Sequence, residues 1–183
     1  MDFEKVLPLI IKDFEEARVQ YAVIGGFALG ALGIMRSTMD LDFLINADDV
    51  GKVAKVMKRY DYTCVHKTEN VSQYLAGSKL FGEIDFIHAF RAISLSMLAR
   101  ARQVSFFSGA LSLAVVCPED IIGLKVQALA NDEGRIVHEY ADIEEIAAHC
   151  RGNLDWKLIK EYFYLFKKEK EFKRLQKKYG KTH

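Results

Sequence analysis

Three carboxylates set among apolar residues carry the chemistry this sequence can perform. Asp40-Leu41-Asp42-Phe43 places two of them two residues apart at the head of a hydrophobic run. Successive side chains on a strand alternate faces, so Asp40 and Asp42 point the same way. Like charges side by side repel, and a sheet gains nothing from them. A divalent cation removes that cost. Oxygen ligands at this spacing suit Mg²⁺ (or Mn²⁺), which keeps waters and takes phosphate oxygens as its other ligands. The plainer reading has Asp40 capping a turn and Asp42 facing solvent. Glu83-Ile84-Asp85-Phe86-Ile87 repeats the pattern of a carboxylate embedded in apolar residues. If that strand lies beside the first, Asp85 joins Asp40 and Asp42. Three carboxylates can then hold two cations about 3.5–4 Å apart, an arrangement suited to nucleotidyl transfer. Glu83 has the same parity as Asp85 and stays open as the ligand, against its plainer role of entering the strand.

Upstream, Ile24-Gly25-Gly26 is separated from Asp40 by thirteen residues. Two glycines between a strand and a helix let the backbone approach a phosphate, and free N–H groups at a helix start favour an anion. A glycine pair alone is often only a tight turn; placed before a same-face Asp pair it gains meaning. Lys125 can offset negative charge developing on transferring phosphates, or be a solvated helix lysine. Arg36 can clamp triphosphate oxygens through both guanidinium nitrogens, or be an ordinary turn arginine. Thr38 shapes the turn before the Asp pair. Asp142 either orients Lys125 across a helix pair or is exposed. The histidines form no paired ligand spacing, and neither a nucleophile-elbow serine motif nor a Walker-type phosphate loop is present.

Together these residues resemble the nucleotidyltransferase superfold shared with DNA polymerase β. Its pattern is a hydrophobic residue, a glycine pair, a spacer, Asp-x-Asp and a later single Asp. The matching positions are Ile24, Gly25, Gly26, Asp40, Asp42 and Asp85, with the spacer at the long end. GGFALGALGIMRSTMDLDFLI further resembles the AbiEii-like toxin branch, in which Arg-x-Thr precedes the Asp pair; Arg36 and Thr38 match it. PEDIIGLKVQALANDEGRIVHEYADIEEI resembles the helical motif of that branch through Pro118, Asp120, Lys125, Ala128, Arg135 and Asp142. It departs in carrying His138-Glu139 where relatives have Lys-Asp. The resemblance spans roughly residues 20–145. It implies an enzyme that moves a nucleoside monophosphate from an NTP to the hydroxyl of an RNA (a tRNA end, for example) or a protein. Asp40, Asp42 and Asp85 would be metal ligands, and these three with Lys125 the catalytic set. Gly25, Gly26, Arg36 and Thr38 would hold the nucleotide. It also implies a toxin–antitoxin setting with an antitoxin partner. The alternative is a module on the same fold that binds nucleotide or protein without catalysis.

The elements that must position these residues follow from periodicity. Apolar residues at helical spacing over 3–19 predict a first helix. YAVI then reads as a short strand, FALGALGI as a short helix, and DLDFLI as a strand that becomes buried. ADDVGKVAKVMKRY reads as a helix; YTCVHK, VSQYLAG and EIDFIH read as strands; residues 91–102 read as a helix. QVSFFSGALSLAVV reads as a hairpin turning at Ser108-Gly109. Pro118, with Glu119 and Asp120 behind it, opens a helix to about Ala130. A further helix covers residues 136–149. The last segment, about 155–179, carries an aromatic stripe of core or docking type: Trp156, Ile159, Phe163, Phe166, Phe172 and Leu175. The expected fold is α+β: a nucleotidyltransferase-like mixed sheet flanked by helices over 1–116, then a helical region, 117–183, packed on it.

Composition sets the boundaries of this reading. Of 183 residues half are apolar, enough for a sizeable core, and two are proline, so a Pro-rich linker is excluded. Three scattered cysteines exclude a disulfide framework and fit a reducing compartment. With no apolar run of membrane-spanning length and no basic leader, a soluble cytoplasmic chain is expected. The net charge of +1 conceals an asymmetry: from Arg151 onward eleven Lys and Arg stand against four Asp and Glu. A basic terminal helix beside an acidic body is either a solvated face or a contact for phosphates.

Overall fold

The structure, a computed structural model, describes residues 1–34, 38–78, 80–132, 134 and 136–180. Two compact units divide the chain, Met1–Val116 and Cys117–His183. The first holds seven strands, β1 (Tyr21–Ile24), β2 (Leu41–Asn46), β3 (Tyr62–Lys67), β4 (Val71–Ala76), β5 (Glu83–Ala89), β6 (Arg102–Phe106) and β7 (Leu111–Val115). Its helices are α1 (Phe3–Glu16), α2 (Gly25–Ala31), α3 (Val50–Arg59) and α4 (Ala92–Arg100). The strands form one mixed sheet in the order β3-β4-β5-β2-β1-β7-β6. β1 pairs antiparallel with β2 and parallel with β7, and β2 pairs parallel with β5. β3–β4, β4–β5 and β6–β7 are antiparallel.

Period-two patterning decides which face of this sheet is core. On β2, Leu41, Phe43 and Ile45 are buried, and on β5 Ile84, Phe86 and His88 are buried beside them. The Phe43 and Phe86 rings stack 5.6 Å apart, and Phe14 of α1 meets both at 5.6 and 6.2 Å. α1 delivers Phe14 because Val6, Leu7, Ile10, Ile11 and Phe14 share one helical stripe, all buried. Its start is capped by Asp2, which accepts the Lys5 N–H. Asp42 and Asp85, at the alternate positions, lie on the opposite face from the phenylalanines.

The central helix after β2 begins differently from a simple cap. Asn46 accepts the Asp48 N–H, a 3-10 turn covers Ala47–Asp49, and α3 follows. Asp49 is buried because it accepts the Gln20 N–H at 2.8 Å and pairs with Lys52. The hairpin β6–β7 turns through Phe107, Ser108 and Gly109, all with positive φ.

The second unit holds α5 (Pro118–Asn131), α6 (Ile136–His149), α7 (Trp156–Leu165) and α8 (Glu169–Tyr179). The acids at the head of α5 hold α7. Glu119 accepts the Asp155 N–H at 2.8 Å, and Asp155 in turn caps α7 through Lys157 and Leu158. Buried Asp120 accepts the Tyr162 hydroxyl and the Cys117 thiol. Burial, then Asp120, pushes that thiol up to about 12. Gly123 makes room for the Tyr162 ring, which an added Cβ would meet at 2.7 Å. The terminal segment is two helices rather than one stripe. Lys167 adopts φ +56, and the Lys168 N–H returns to the Phe163 carbonyl at 2.8 Å, closing α7 before α8 starts. Phe172 then folds back onto Phe163 and Trp156. Among the described residues no helix is long and apolar enough to cross a membrane.

Candidate active site

The sheet register places the carboxylates. Asp42 of β2 and Asp85 of β5 are direct neighbours in a parallel pair, so their side chains stand abreast on one face. Asp40 lies one residue before β2 and is exposed; its charge nonetheless acts on both Asp85 and Glu83. Burial, then Asp40, raises the Asp85 carboxyl above the ordinary carboxylate range, opposed by a hydrogen bond from Gln73. Burial first, then Asp85 and Asp40, raises Glu83. Glu83 is thus part of the same negative field, at the mouth of β5.

Gly25 explains why a glycine follows β1. Its φ is +66°, and a Cβ there would lie 1.9 Å from Asp42 Oδ2 and 2.9 Å from Asp42 Cβ. The backbone at Gly25 is therefore pressed against the Asp42 side chain, directly opposite Ile24 in the β1–β2 register. Gly26 plays the same part toward Thr38: a Cβ would meet Thr38 Cβ and Oγ1 at 2.9 Å. The Thr38 hydroxyl donates to the Asp40 carbonyl at 3.0 Å and so fixes the turn that aims the Asp pair. Gly25, Gly26, Thr38 and Asp42 thus form one contact set. Arg36 and Arg135 lie outside the described residues.

The oxygen set fits a hard divalent cation. Oδ1 of Asp85 is buried with no hydrogen-bond partner among the described residues, and an orphaned buried carboxylate oxygen is costly until something satisfies it. Oδ2 of the same group accepts from Gln73 Nε2 at 3.1 Å. Oxygen-only donors from Asp42 and Asp85, with Asp40 at the strand entry, match the preference of Mg²⁺ or Mn²⁺. Among the described residues no three His, Cys, Asp or Glu side chains form a ready-made metal cage.

In the second unit, Lys125 of α5 sits between two acids of α6. Its Nζ donates to Asp142 Oδ2 at 2.5 Å and to Glu139 Oε2 at 3.0 Å, with all three side chains largely buried. Asp142 does orient Lys125 across a helix pair. Glu139, at the position where the branch pattern departs, shares the ammonium.

One residue of the row was not recognised as a partner from the sequence. Gln73 belongs to β4 and stands directly opposite Asp85 in the β4–β5 register. Its one signal is a polar residue in an otherwise strand-forming run. His88 faces the other way, as its parity demands. It is buried, with Nδ1 2.9 Å from the Glu69 carbonyl and Nε2 3.0 Å from the Ser72 hydroxyl. A carbonyl only accepts, so Nδ1 carries the proton and Nε2 accepts from Ser72.

No protein-family model matches the chain, and no curated protein matches it in sequence. Solved structures do match. The solution structure of the antibiotic-resistance factor ANT(2'')-Ia aligns with a TM-score of 0.65 at 17% identity, covering 93% of this chain and 95% of that one. An antigenic nucleotidyltransferase-like protein from Paracoccidioides brasiliensis aligns with a TM-score of 0.55 at 17% identity, covering 96% and 92%. The lincosamide antibiotic adenylyltransferase LnuA, solved with lincomycin bound, aligns with a TM-score of 0.51 at 16% identity, covering 65% and 83%. A seven-stranded mixed sheet with its carboxylates on the second and fifth strands is thus built here on the fold of nucleotidyltransferases.

Proposed function

We propose that this chain is a divalent-metal-dependent nucleotidyltransferase that moves a nucleoside monophosphate from an NTP to an acceptor hydroxyl. The observation that supports it most is the in-register pair Asp42–Asp85, pressed from one side by Gly25, with the buried Asp85 Oδ1 left without a partner among the described residues. Asp40, Asp42 and Asp85 would hold Mg²⁺ or Mn²⁺, which when bound neutralises triphosphate charge. The rest falls to the chain itself. The backbone at Gly25-Gly26, lying against Asp42 and Thr38, is assigned to the triphosphate, as is Arg36. The acceptor oxygen forms a bond to the α-phosphorus, the bond from that phosphorus to the β-bridging oxygen breaks, and pyrophosphate leaves. The acceptor proton passes to the Asp85 carboxylate. Lys125 is assigned to the catalytic set, with Asp142 and Glu139 fixing its ammonium.

For the acceptor, RNA (a tRNA end among the candidates) or a protein hydroxyl is the leading assignment, with the chain acting in the cytoplasm as the toxin of a toxin–antitoxin pair. The surface of the last two helices supports RNA. Lys170, Lys173 and Lys177 are exposed on α8, away from buried Phe172 and Leu175, while Arg174 lies over the Tyr140 ring and Lys178 pairs with Glu144. A second reading, a small hydroxylated molecule, is favoured by the nearly complete two-way alignment with ANT(2'')-Ia, which has also been solved with adenylyl-2''-tobramycin.

The test is incubation with each labelled NTP, Mg²⁺ or Mn²⁺, and in turn total RNA, lysate protein and aminoglycosides. Label should pass to one acceptor class, and Asp42→Asn should abolish transfer while leaving the fold intact. A wild-type chain that transfers no label and binds no Mn²⁺ overturns the proposal.

A further inference from the structure

On the sheet face that carries the carboxylates, Asp85 has a neighbour on each side. Asp42 flanks it on β2, and Gln73 flanks it on β4. The two neighbours differ in kind. Asp42 brings a second negative charge, whereas Gln73 brings an amide whose Nε2 donates to Asp85 Oδ2 at 3.1 Å. That bond occupies one oxygen of the carboxylate and leaves the other, Oδ1, buried and unpartnered among the described residues. A carboxylate turns readily about its last torsion. The Gln73 donor distinguishes Oδ2 from Oδ1 and opposes that rotation.

We propose that Gln73 is a positioning residue: by holding Oδ2 it fixes the Asp85 carboxylate with Oδ1 presented as the free donor of the site. The inference rests on the metal-binding reading of Asp42 and Asp85 and adds the group that orients one of them. A glutamine suits the task in two ways. It donates a hydrogen bond without adding a charge that would compete with a bound cation. Its residue, opposite Asp85 in an antiparallel pair, is held by the ladder itself and not by a loop. Gln73 touches neither the triphosphate nor the acceptor in this assignment, so it acts only through Asp85.

The experiment compares wild type with Gln73→Leu, Gln73→Glu and Asp85→Asn. Leucine keeps the bulk without a donor. Glutamate keeps the shape, cannot donate when ionised, and adds repulsion. Mn²⁺ binding is read by titration of the paramagnetic ion, thermal stability by melting, and orientation by a crystal structure of Gln73→Leu. Outer partners of metal ligands are worth on the order of tenfold to a hundredfold in affinity. Gln73→Leu is expected to weaken Mn²⁺ binding by about tenfold, with a melting temperature close to wild type and the Asp85 carboxylate rotated. Gln73→Glu, whose added charge itself attracts a cation, is expected to turn the Asp85 carboxylate without a comparable loss of affinity, and Asp85→Asn to weaken binding more than Gln73→Leu. Where transfer is measured, kcat should fall with little change in KM for the NTP. If wild type binds Mn²⁺ and Gln73→Leu binds it equally well, or the Asp85 carboxylate keeps its orientation, the positioning role is wrong and the metal reading stands. If wild type binds no Mn²⁺, both fall. A Gln73→Leu protein that loses melting temperature while keeping its Mn²⁺ affinity marks Gln73 as merely structural and also overturns the proposal.

Discussion

Replacing Gly25 by alanine tests the geometry of the site more directly than removing a carboxylate. Two costs add. Gly25 has φ +66°, a left-handed conformation that costs an L-residue about 1–2 kcal/mol. The new Cβ would also sit 1.9 Å from Asp42 Oδ2, 2.6 Å from Cγ and 2.9 Å from Cβ. A change of the Asp42 rotamer about Cα–Cβ clears the first two atoms but not the third, which is fixed to β2. The strand itself must move, an overpacking cost of about 1–3 kcal/mol. The expected destabilisation is therefore about 2–5 kcal/mol, a large share of the 5–15 kcal/mol typical of a domain. At this chain length it would lower the melting temperature on the order of 10 °C. Gly30→Ala is the control. That residue lies in α2 with nothing within 4 Å of its added Cβ, so alanine there should be neutral or stabilise by up to about 1 kcal/mol. Urea melts of both variants, with Mn²⁺ titration of each, decide the matter. A Gly25→Ala protein with wild-type stability and wild-type Mn²⁺ affinity would refute the account of why this glycine follows β1.

Other outcomes follow from the same structure. Lys125→Met leaves Glu139 and Asp142 facing each other in a largely buried site, and should cost about 3 kcal/mol in a urea melt; the triple change Lys125→Met, Glu139→Gln, Asp142→Asn should recover part of it. An unchanged midpoint for the single variant would show the ammonium does not neutralise those acids. His88 is held below its ordinary value near 6.5, chiefly by burial and also by Lys67, with the Glu69 carbonyl opposing. The unfolded chain therefore takes up its proton first, so this contribution to stability is complete above pH 6.5 and declines as pH falls below it. Urea midpoints at pH 7.5 and 5.5 should differ more for wild type than for His88→Gln; equal differences would refute the reasoning. If α8 meets nucleic acid, fluorescence anisotropy with a labelled RNA should show binding that weakens steeply with salt, and Lys173→Glu with Lys177→Glu should flatten that slope. Binding indifferent to salt and to these charge reversals would leave α8 a solvated face.

Much of the sheet was legible because its strands announce themselves by period. Asp42 and Asp85 were readable as candidates since each interrupts an apolar run at a position whose neighbours are buried. Their adjacency was not, because β2 and β5 are parallel partners separated by the β3–β4 hairpin, and register is a property of the assembled sheet. Gln73 escaped notice for the same reason: only the β4–β5 register turns an unremarkable strand glutamine into a partner of Asp85. The terminal segment was misread as continuous because the break at Lys167 carries neither glycine nor proline. A backbone turn to positive φ at a lysine leaves no compositional trace. Pro118 and the acids behind it did announce α5. What they do there, holding Asp155 and Tyr162 of α7, depends on packing that helical period alone does not specify.

The parallel pairing of β2 with β5 has a kinetic consequence. Parallel neighbours cannot meet through a tight hairpin, so residues 42 and 85 come together only after the intervening chain, with α3 and the β3–β4 hairpin, has been laid down. Closing so long a loop is paid in chain entropy before any contact rewards it, and such non-local steps are slow. A nascent or half-folded polypeptide consequently lacks the Asp42–Asp85 pair. If that pair holds an ion as proposed, assembly of these sheet contacts and the birth of metal affinity are one event, and ion uptake during refolding would time it.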